Sequence, residues 1–507
     1  MKGKEKILAI FFGIILGLSG VIRFFQTKDY NTPFTYDQAR DMLDIRALGE
    51  FKDLAVLGPT TSINGLRLGP FYYYFNLPAY WIGGGSPQAL VYWNILLFLV
   101  SGGFIFWYFR KRNIILGFLV GSLFLMSPQM FNLTRYFWNA NMATYLSVYF
   151  FVALWNFLEK KDNKSILWLG LTAAMMTQFE AAFGIVCLGF SVLIILLNKK
   201  AKHWKSFLIG VIPWFLPQIL LEIKNKFQMT KLLLGFFDGS NQVLGDKMSL
   251  GETASSHFNK IISFFEGQFM ASYGWGFGVL ILAVGLILIN KKYRKVGIYF
   301  VSFLLFAFVF YTTVYHHELK TWYLESLRVW YCFVIGIGLV NINKFKNLAG
   351  IIIGVFLLRS ITLTKIDQWQ FVNSDFGKND PKKLANLIKN IDWVYEKING
   401  DGFEAYTYVP EIYDYSNQYL YWQYGIKKYG YMPNKVSYSI TEVPEYLRTQ
   451  NEFYKKTKES KSKKIALIYE NNDKSIGWLG QFTKYCTVEK WQTEWNTTVE
   501  IREKCSF

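Results

Sequence analysis

The chain has 507 residues and a formal net charge of +19 at pH 7, and 52% of its residues are hydrophobic. So high an apolar content argues against a single soluble domain and for a membrane protein. A basic excess of this size is also typical of nucleic-acid-binding proteins, so the positions of the charges decide what it means.

Apolar segments recur along the first 363 residues and then stop. Each has about 17 to 22 residues, which is enough to cross roughly 30 Å of hydrocarbon as a helix. The sequence therefore predicts an α-helical polytopic membrane region over residues 1–363, with a polar region over 364–507. The eleven predicted spans are 7–25, 88–108, 114–132, 142–158, 165–180, 181–197, 206–223, 274–290, 296–314, 326–342 and 347–363.

The short loops between the spans sort by charge. On one side they are "MKGKEK", "RKRN", "EKKDNK", "NKKAKHWK", "NKKYRK" and "NKFKN", all rich in Lys or Arg, whereas the loops on the other side are longer and mixed in charge. The positive-inside rule then places the N-terminus in the cytoplasm of a cell or inner membrane. An odd number of spans places the polar tail outside. The basic excess is thus explained by topology, and no nucleic-acid partner is expected.

The tail alternates segments with helical and strand patterns, which predicts a small extracytoplasmic α/β domain. Its last stretch, "CTVEKWQTEWNTTVEIREKC", reads as a hairpin that turns near Trp495 and Asn496. This register sets Cys486 opposite Cys505. A disulfide in an oxidising exterior and two free thiols both fit the sequence.

The second predicted external loop, residues 224–273, contains the stretch "HFNKIISFFEGQFM". Its apolar residues fall on one helical face, namely Phe258, Ile261, Ile262, Phe265 and Phe269. This spacing predicts an amphipathic helix that either lies on the membrane surface or packs on the helix bundle.

The first predicted external loop, residues 26–87, contains the charged stretch "FTYDQARDMLDI". Read as a helix, it places Asp37, Arg40, Asp41 and Asp44 on one face. Thr35 followed by Gln38 is a capping-box pattern that starts the helix there, and the helix dipole favours an ionised carboxylate in the first turn. A solvent-exposed helix with weak intrahelical ion pairs is the alternative interpretation.

Further motifs follow in a fixed order. "LRLGPFYYY" (66–74) comes some thirty residues after the acidic helix, and "RYFWNAN" (135–141) and "PQILLEIKN" (217–225) come later. With the acidic helix, they resemble the polyprenyl-phosphate-sugar-dependent glycosyltransferases of the GT-C fold. The nearest resemblance is to glycosyltransferase family 39, with the protein O-mannosyltransferases and lipid A aminoarabinose transferases. The resemblance covers the membrane region and only loosely the tail.

The resemblance implies transfer of a single sugar, with inversion, from a polyprenyl-phosphate donor to a hydroxyl on a protein, lipid or glycan acceptor. Asp37 matches the carboxylate that serves these enzymes as general base, and Arg40 and Asp41 share its helix as further catalytic candidates. Many relatives have Glu where this chain has Gln38, and Lys before the Gly-Pro pair where it has "LRLGP". Arg67 is the candidate for the missing cation.

A leaving phosphate gains negative charge as the sugar bond breaks, so cations near it lower the barrier. The predicted substrate-binding residues combine such cations with neighbouring polar and aromatic groups: Arg67, Tyr72, Arg135, Asn139, Glu180, His316, His317, Lys320 and Arg328. Glu180 lies between two predicted spans, where it is functional or else exposed at a loop tip.

We expect neither a metal site nor another resident cofactor, although a single carboxylate can hold Mg²⁺ together with water and phosphate. The adjacent His316 and His317 seldom ligate one zinc ion together on a helix. Two other function classes remain open: a transporter or flippase of lipid-linked sugars, and a catalytically inactive scaffold relative.

Overall fold

The computed structural model describes residues 3–61, 63, 65–200, 203–238, 247–266, 275–289, 292–340, 379–411, 414–441, 456–461 and 463–505. The chain forms two compact units. Unit 1 comprises Met1–Phe25, Ala55–Phe75 and Trp93–Gln370, and unit 2 comprises Gln26–Leu54, Asn76–Tyr92 and Phe371–Phe507. Parts of the predicted first external loop thus belong to the same unit as the tail. The predicted boundary between residues 363 and 364 lies outside the described residues.

Helices account for most of the first 340 residues. In chain order they are α1 (Gly3–Thr27), α2 (Tyr36–Gly49), α3 (Phe71–Gly83), α4 (Pro87–Phe109), α5 (Ile114–Met126), α6 (Pro128–Arg135), α7 (Asn139–Lys160), α8 (Asn163–Phe179), α9 (Ala181–Leu197), α10 (Trp204–Lys224), α11 (Gln228–Asp238), α12 (Leu250–Glu266), α13 (Trp275–Ile289), α14 (Arg294–Val314) and α15 (Leu327–Leu339), with a 3₁₀ turn at Thr321–Tyr323.

Ten of the eleven predicted spans coincide with helices, and the eleventh, 347–363, lies outside the described residues. Within the described part of the chain, five helices are long and apolar enough to cross a membrane, or six if α5 and α6 form one bent span. The prediction of one continuous helix over 114–132 was wrong. Pro128, which has no N–H to donate, starts a new helix at an angle of 60°.

The Gly, Pro and Tyr density of "LGPTTSINGLRLGPFYYYFNLPAYWIGG" predicts a tight, aromatic-lined re-entry to the membrane rather than a loose loop. Its second half forms helix α3, and Pro78 lies inside this helix. Apolar residues surround this proline, and a helix with a proline persists where neighbouring groups satisfy the freed carbonyl.

Aromatic side chains from α7, α14 and α15 fill the interior of unit 1. The Phe151 ring lies 5.4 Å from the Phe303 ring and 5.8 Å from the Phe333 ring, centroid to centroid. Trp330 is fully buried, and its indole N–H donates to the Phe300 carbonyl at 2.6 Å. The ring contacts and the hydrogen bond of the buried indole N–H together fix the positions of these side chains in the core.

Helix α12 confirms the predicted amphipathic pattern and favours the packed alternative. Ile261, Phe264 and Phe265 are buried, and the Phe265 ring lies 5.6 Å from the Trp330 ring. Phe258 is exposed, and Phe269 lies outside the described residues.

A buried arginine ties α1 to three neighbouring helices of unit 1. The Arg23 guanidinium lies 4.0 Å from the Phe98 ring centroid and 3.7 Å from that of Phe131. It also donates to the Ser19 hydroxyl at 2.6 Å and to the Thr134 hydroxyl at 3.2 Å. Stacking on two rings and donation in the ring plane suit a guanidinium and not an ammonium.

Unit 2 contains a five-stranded sheet in the order β2-β1-β3-β5-β4. β1 pairs in parallel with β2 and β3, and β5 pairs antiparallel with β3 and β4. The strands are β1 (Glu404–Tyr408), β2 (Lys435–Ser437), β3 (Ile465–Glu470), β4 (Tyr485–Gln492) and β5 (Thr497–Lys504). The helices are α16 (Leu384–Ile398), α17 (Tyr415–Leu420), a π turn (Tyr421–Gly425), α18 (Ile426–Tyr429) and α19 (Asp473–Leu479), followed by a 3₁₀ turn (Gly480–Phe482). The predicted small α/β region is therefore confirmed.

A segment of the first loop pairs with the start of the tail inside unit 2. The Phe34 amide donates to the Lys382 carbonyl at 2.8 Å, and the Leu384 amide donates to the Thr32 carbonyl at 2.9 Å. Residues about 350 positions apart thus satisfy each other's backbone groups, which must be paired when they are buried.

The β4–β5 hairpin places a disulfide at its open end. Cys486 and Cys505 are bonded, with their Cα atoms 5.1 Å apart. Strand β4 ends at Gln492 and strand β5 begins at Thr497. In the turn between them, Asn496 has a φ of 56°. The predicted turn and the disulfide alternative are both present in the structure.

We expect replacement of both Cys486 and Cys505 by Ser to destabilise the hairpin. The disulfide joins residues 19 positions apart. A crosslink over a loop of this size stabilises the folded state by about 3 kcal/mol, which corresponds to about a 100-fold change in the equilibrium constant for opening of the hairpin. Amide hydrogen exchange in β4 and β5, followed by mass spectrometry, should accelerate by about that factor.

A reductant should produce the same acceleration in the wild type and no change in the double variant, which keeps Cys187 and Cys332 as thiols. Equal acceleration in both proteins would show that the disulfide does not restrain the hairpin.

Candidate active site

Helix α2 begins where the capping pattern predicts. Thr35 has an extended backbone, and its N–H donates to the Gln38 side-chain oxygen at 3.0 Å. Gln38 is fully buried. Its amide therefore holds the helix start, which is a structural role that does not require the negative charge of the Glu found in many relatives.

Arg40 contacts both of the other predicted catalytic residues, Asp37 and Asp41. Its guanidinium contacts the Asp37 carboxylate at 3.0 Å and the Asp41 carboxylate at 2.9 Å. The Asp37 side chain is 41% exposed, whereas that of Asp41 is fully buried. One arginine thus holds an accessible carboxylate and an inaccessible one on the same helix.

Burial raises the pKa of Asp41 to about 7, although the neighbouring Arg40 charge opposes this shift. One Asp41 oxygen, Oδ2, is buried and has no hydrogen-bond partner among the described residues. Because its side chain is buried, Asp41 does not contact a substrate hydroxyl in this structure, and its ion pair is with Arg40. Asp37 is the member of the three that can meet a proton donor from outside.

The predicted substrate-binding residues lie in unit 1. Arg67 belongs to a loop that doubles back on itself, and its Nε donates to the Gly58 carbonyl at 2.8 Å. A Cβ on Gly69 would lie 1.6 Å from the Gln178 side-chain oxygen, so any larger residue here would displace the buried Gln178 side chain. Tyr72 is fully buried beside Phe179, with their ring centroids 6.4 Å apart.

Two of the predicted residues meet at the turn between α8 and α9. The Asn139 side chain donates to the carbonyl of Phe179 at 2.7 Å, and Glu180 accepts from the Ala182 amide at 3.3 Å as the cap of α9. Glu180 is only 7% exposed. The interpretation of Glu180 as an exposed loop tip was therefore wrong. Arg135, at the end of α6, is also buried.

The cluster at residues 315–330 is ordered by polar contacts. The His257 ring nitrogen Nε2 lies 2.9 Å from the His317 carbonyl, and the Met248 amide donates to the His316 carbonyl at 2.9 Å. Lys320 lies 3.9 Å from Glu318. In the described part of the chain, no group of three or more His, Cys, Asp or Glu residues is placed to hold a metal ion.

Arg328 forms a buried ion pair that the sequence analysis missed. Its guanidinium contacts Glu325, with Nη2 3.1 Å from Oε1, and it lies 4.5 Å from the Phe264 ring centroid. Glu325 lies in the turn just before α15 and Arg328 lies in its first turn, and this three-residue spacing is the signal that would have predicted the pair. Arg328 Nη1 is buried and has no hydrogen-bond partner among the described residues.

We expect the effect of Arg40→Gln on stability to depend on pH. The folded-state pKa of Asp41 already exceeds that of an ordinary Asp, so its contribution to stability falls as pH rises from about 4 to about 7. Without Arg40 the folded-state pKa of Asp41 rises further, so stability continues to fall with rising pH beyond pH 7. The variant should lose about 1 to 2 kcal/mol more at pH 8 than at pH 5.

Unfolding in detergent at both pH values measures this difference. Arg46→Gln is the matched control, because Arg46 pairs with the part-exposed Glu50 at 3.0 Å on the same helix. An equal loss at both pH values for Arg40→Gln would contradict the assigned interaction with Asp41.

No protein-family model matches the chain, and no curated protein sequence matches it. Among solved structures, the chain is similar to ArnT from Cupriavidus metallidurans bound to undecaprenyl phosphate, with a TM-score of 0.59 and 10% identity over 96% of this chain and 97% of that one.

Weaker similarities exist to the arabinofuranosyltransferase AftD from Mycobacteria (TM-score 0.44, 14% identity, 98% of this chain and 40% of that one) and to the oligosaccharyltransferase of Archaeoglobus fulgidus in complex with Zn and sulfate (0.42, 12%, 96% and 72%). These two are too weak to support an argument. The similarity to ArnT concerns the fold, and with the apolar helices it shows that the chain is a multi-pass membrane protein with the predicted GT-C fold.

Proposed function

We propose that the chain is a membrane glycosyltransferase that transfers one sugar, with inversion, from a polyprenyl-phosphate donor to an acceptor hydroxyl at the outer membrane face. The observation that carries the proposal is the accessible Asp37 carboxylate, held by Arg40 on the helix that follows the first apolar helix of a GT-C fold. The undecaprenyl phosphate bound to ArnT supports a donor of this lipid class.

In the proposed step, the acceptor hydroxyl oxygen attacks the anomeric carbon on the face opposite the phosphate. The bond between that carbon and the phosphate oxygen breaks, its electron pair goes to the phosphate, and the hydroxyl proton goes to Asp37. A positioned general base contributes about 100-fold to 10,000-fold in rate. The contact with Arg40 fixes the carboxylate in one orientation and thereby limits the geometries from which it accepts the proton.

Positive side chains are the proposed partners of the donor phosphate. Arg328 is the one we favour, because its ion pair with Glu325 orients it. A fixed donor of this kind stabilises charge without reorganising during the reaction. The basic loops support the proposed orientation, with the N-terminus cytoplasmic and the tail outside.

The central test is Asp37→Asn, which keeps the shape of the side chain and removes the base. Purified protein would be incubated with a panel of radiolabelled polyprenyl-phosphate sugars, and release of the lipid chain would be scored. We expect release to fall by about 100-fold or more. Asp29→Asn is the control, because Asp29 lies outside the helix, its side chain is 82% exposed, and its carboxylate lies 3.6 Å from Lys28 Nζ.

Unchanged release in Asp37→Asn would remove this residue from the mechanism. No release by the wild type with any donor would favour the inactive scaffold, and movement of intact donor across the bilayer would favour a flippase.

The proposal assigns the positive charge at the phosphate to arginine, not to a bound metal. We therefore expect EDTA to change the release rate by less than about twofold, since a metal that acted as Lewis acid would contribute several kcal/mol. A large loss on chelation that Mg²⁺ or Mn²⁺ restores would show that a divalent cation takes part.

A further inference from the structure

Unit 2 contains a pocket that the proposed reaction does not use. It is small: the space open to a water-sized group is about 20 Å³, and the empty space is about 330 Å³ only when the open solvent at its mouth is counted. We call it the acidic pocket, and its polar lining residues are Lys382, Glu411, Asp414, Ser416, Asn417 and Glu470. Asp37, Arg40 and Asp41 are not among its lining residues.

The lining of the acidic pocket is negatively charged. Three carboxylates and one lysine give a formal charge of −2 when all are ionised. Lys382 forms an ion pair with Glu411, which offsets one carboxylate and leaves those of Asp414 and Glu470. The remaining charge favours a positively charged ligand.

Asp414 is 1% exposed, and neither of its side-chain oxygens has a hydrogen-bond partner among the described residues. Asp414 is the residue directly before α17, a position from which an Asp side chain usually accepts a hydrogen bond from a backbone N–H of the helix. Its side chain makes no such capping hydrogen bond. The backbone N–H of Asp414 itself and the Thr407 hydroxyl lie near enough to lower its pKa, but neither contact has the geometry of a hydrogen bond. A buried carboxylate without donors is costly, and a ligand that supplies donors removes that cost.

A second buried acceptor lies one helical turn away. The Asn417 side-chain oxygen has no partner among the described residues, and Asn417 is also 1% exposed. Asp414 and Asn417, which both line the pocket, thus carry three buried acceptor atoms without a partner among the described residues, two on Asp414 and one on Asn417. Burial also raises the pKa of both Asp414 and Glu470 to about 7, as expected for carboxylates without sufficient positive charge nearby.

The walls of the pocket are held in place by backbone contacts. The Ser416 hydroxyl donates to the Phe34 carbonyl at 3.1 Å, and the Phe34 amide donates to the Lys382 carbonyl at 2.8 Å. Phe34 and Tyr36 add aromatic surface to the lining. A pre-formed site of this kind loses little free energy in ordering on binding.

We propose that the acidic pocket binds a small molecule carrying a primary ammonium group. An ammonium supplies three N–H donors for the three acceptors and a positive charge for the carboxylates. A hydroxyl would supply one donor and no charge. The pocket carboxylates do not converge as metal ligands, since no such group of three occurs in the described part of the chain. This proposal is independent of the proposed glycosyl transfer.

The test uses the full chain in detergent and four small probes, with binding measured by saturation-transfer NMR titration at pH 8. Ethanolamine carries the ammonium, ethylene glycol replaces it by a hydroxyl, and tetramethylammonium keeps the charge without N–H donors. Nα-acetyl-lysine amide carries the same ammonium on a peptide stem. We expect ethanolamine to bind at least tenfold more tightly than ethylene glycol or tetramethylammonium.

Asp414→Asn should weaken ethanolamine binding at least tenfold, and Glu470→Gln at least threefold. Asp392→Asn is the matched control, because Asp392 lies in the same unit but pairs with Lys428 at 2.9 Å and Tyr429 at 2.7 Å. If Asp414→Asn does not fold, Glu470→Gln carries the test. Binding should also weaken from pH 8 to pH 5.5 as Asp414 and Glu470 take up protons; the other charged groups at the site are Lys382, Glu411 and Asp380.

Equal binding of ethylene glycol, equal binding of tetramethylammonium, or no binding of ethanolamine up to 100 millimolar (roughly the weakest affinity such contacts give) would overturn the proposal. Displacement of ethanolamine by Ca²⁺ at micromolar concentration would also overturn it in favour of a metal site. If Nα-acetyl-lysine amide binds tenfold more tightly than ethanolamine, the result supports ammonium recognition and identifies a lysine side chain as the natural ligand. If it binds more weakly than ethanolamine, the natural ligand is a free small amine.

Discussion

Arg40 holds two carboxylates of opposite accessibility, and the proposed chemistry depends on this arrangement. A buried carboxylate such as Asp41 is tolerated only with a charged partner or a proton. Arg40 supplies that partner and, with the other arm of its guanidinium, contacts Asp37 at the surface. The orientation of the accessible Asp37 carboxylate therefore depends on Asp41, which does not reach a substrate.

Arginines buried inside unit 1 are also held by fixed contacts, although their partners differ. Arg23 stacks between two phenylalanine rings and donates to hydroxyl and carbonyl oxygens, whereas Arg328 pairs with Glu325. In each case the surrounding helices supply the acceptors that water would otherwise supply. A cation held in this way has a fixed direction, and a fixed direction makes a charge useful for binding an anion.

Unit 2 is assembled from pieces that are distant in sequence. Residues 30–34 pair with residues 382–385, and the Tyr419 hydroxyl donates to the Gly85 carbonyl at 2.6 Å. The acidic pocket forms where these pieces meet, since its lining includes Phe34 from the first loop and Asp414 and Glu470 from the tail. Each piece alone gives no sign of a pocket, because the pocket's carboxylates lie in two separate stretches of the tail, one with Glu411 and Asp414 and the other with Glu470.

The sequence by itself determined the features that rest on local chemistry. Ten helices, the start of α2 and the β4–β5 hairpin follow from apolar run length, capping residues and alternation, which act over a few residues. The placement of Asp37, Arg40 and Asp41 on one face follows from the helical period. The GT-C fold was predicted from the resemblance of several motifs and their order along the chain, and the similarity to ArnT, at 10% identity, supports that fold.

Only the tertiary structure decided which charged groups are buried and which partners they have. Asp37 and Asp41 look equivalent in sequence, yet one is 41% exposed and the other is fully buried. Glu180 was interpreted as either functional or exposed, and its burial at the α8–α9 turn came from packing. Burial and pairing depend on contacts between residues tens to hundreds of positions apart, and no local pattern records those distances.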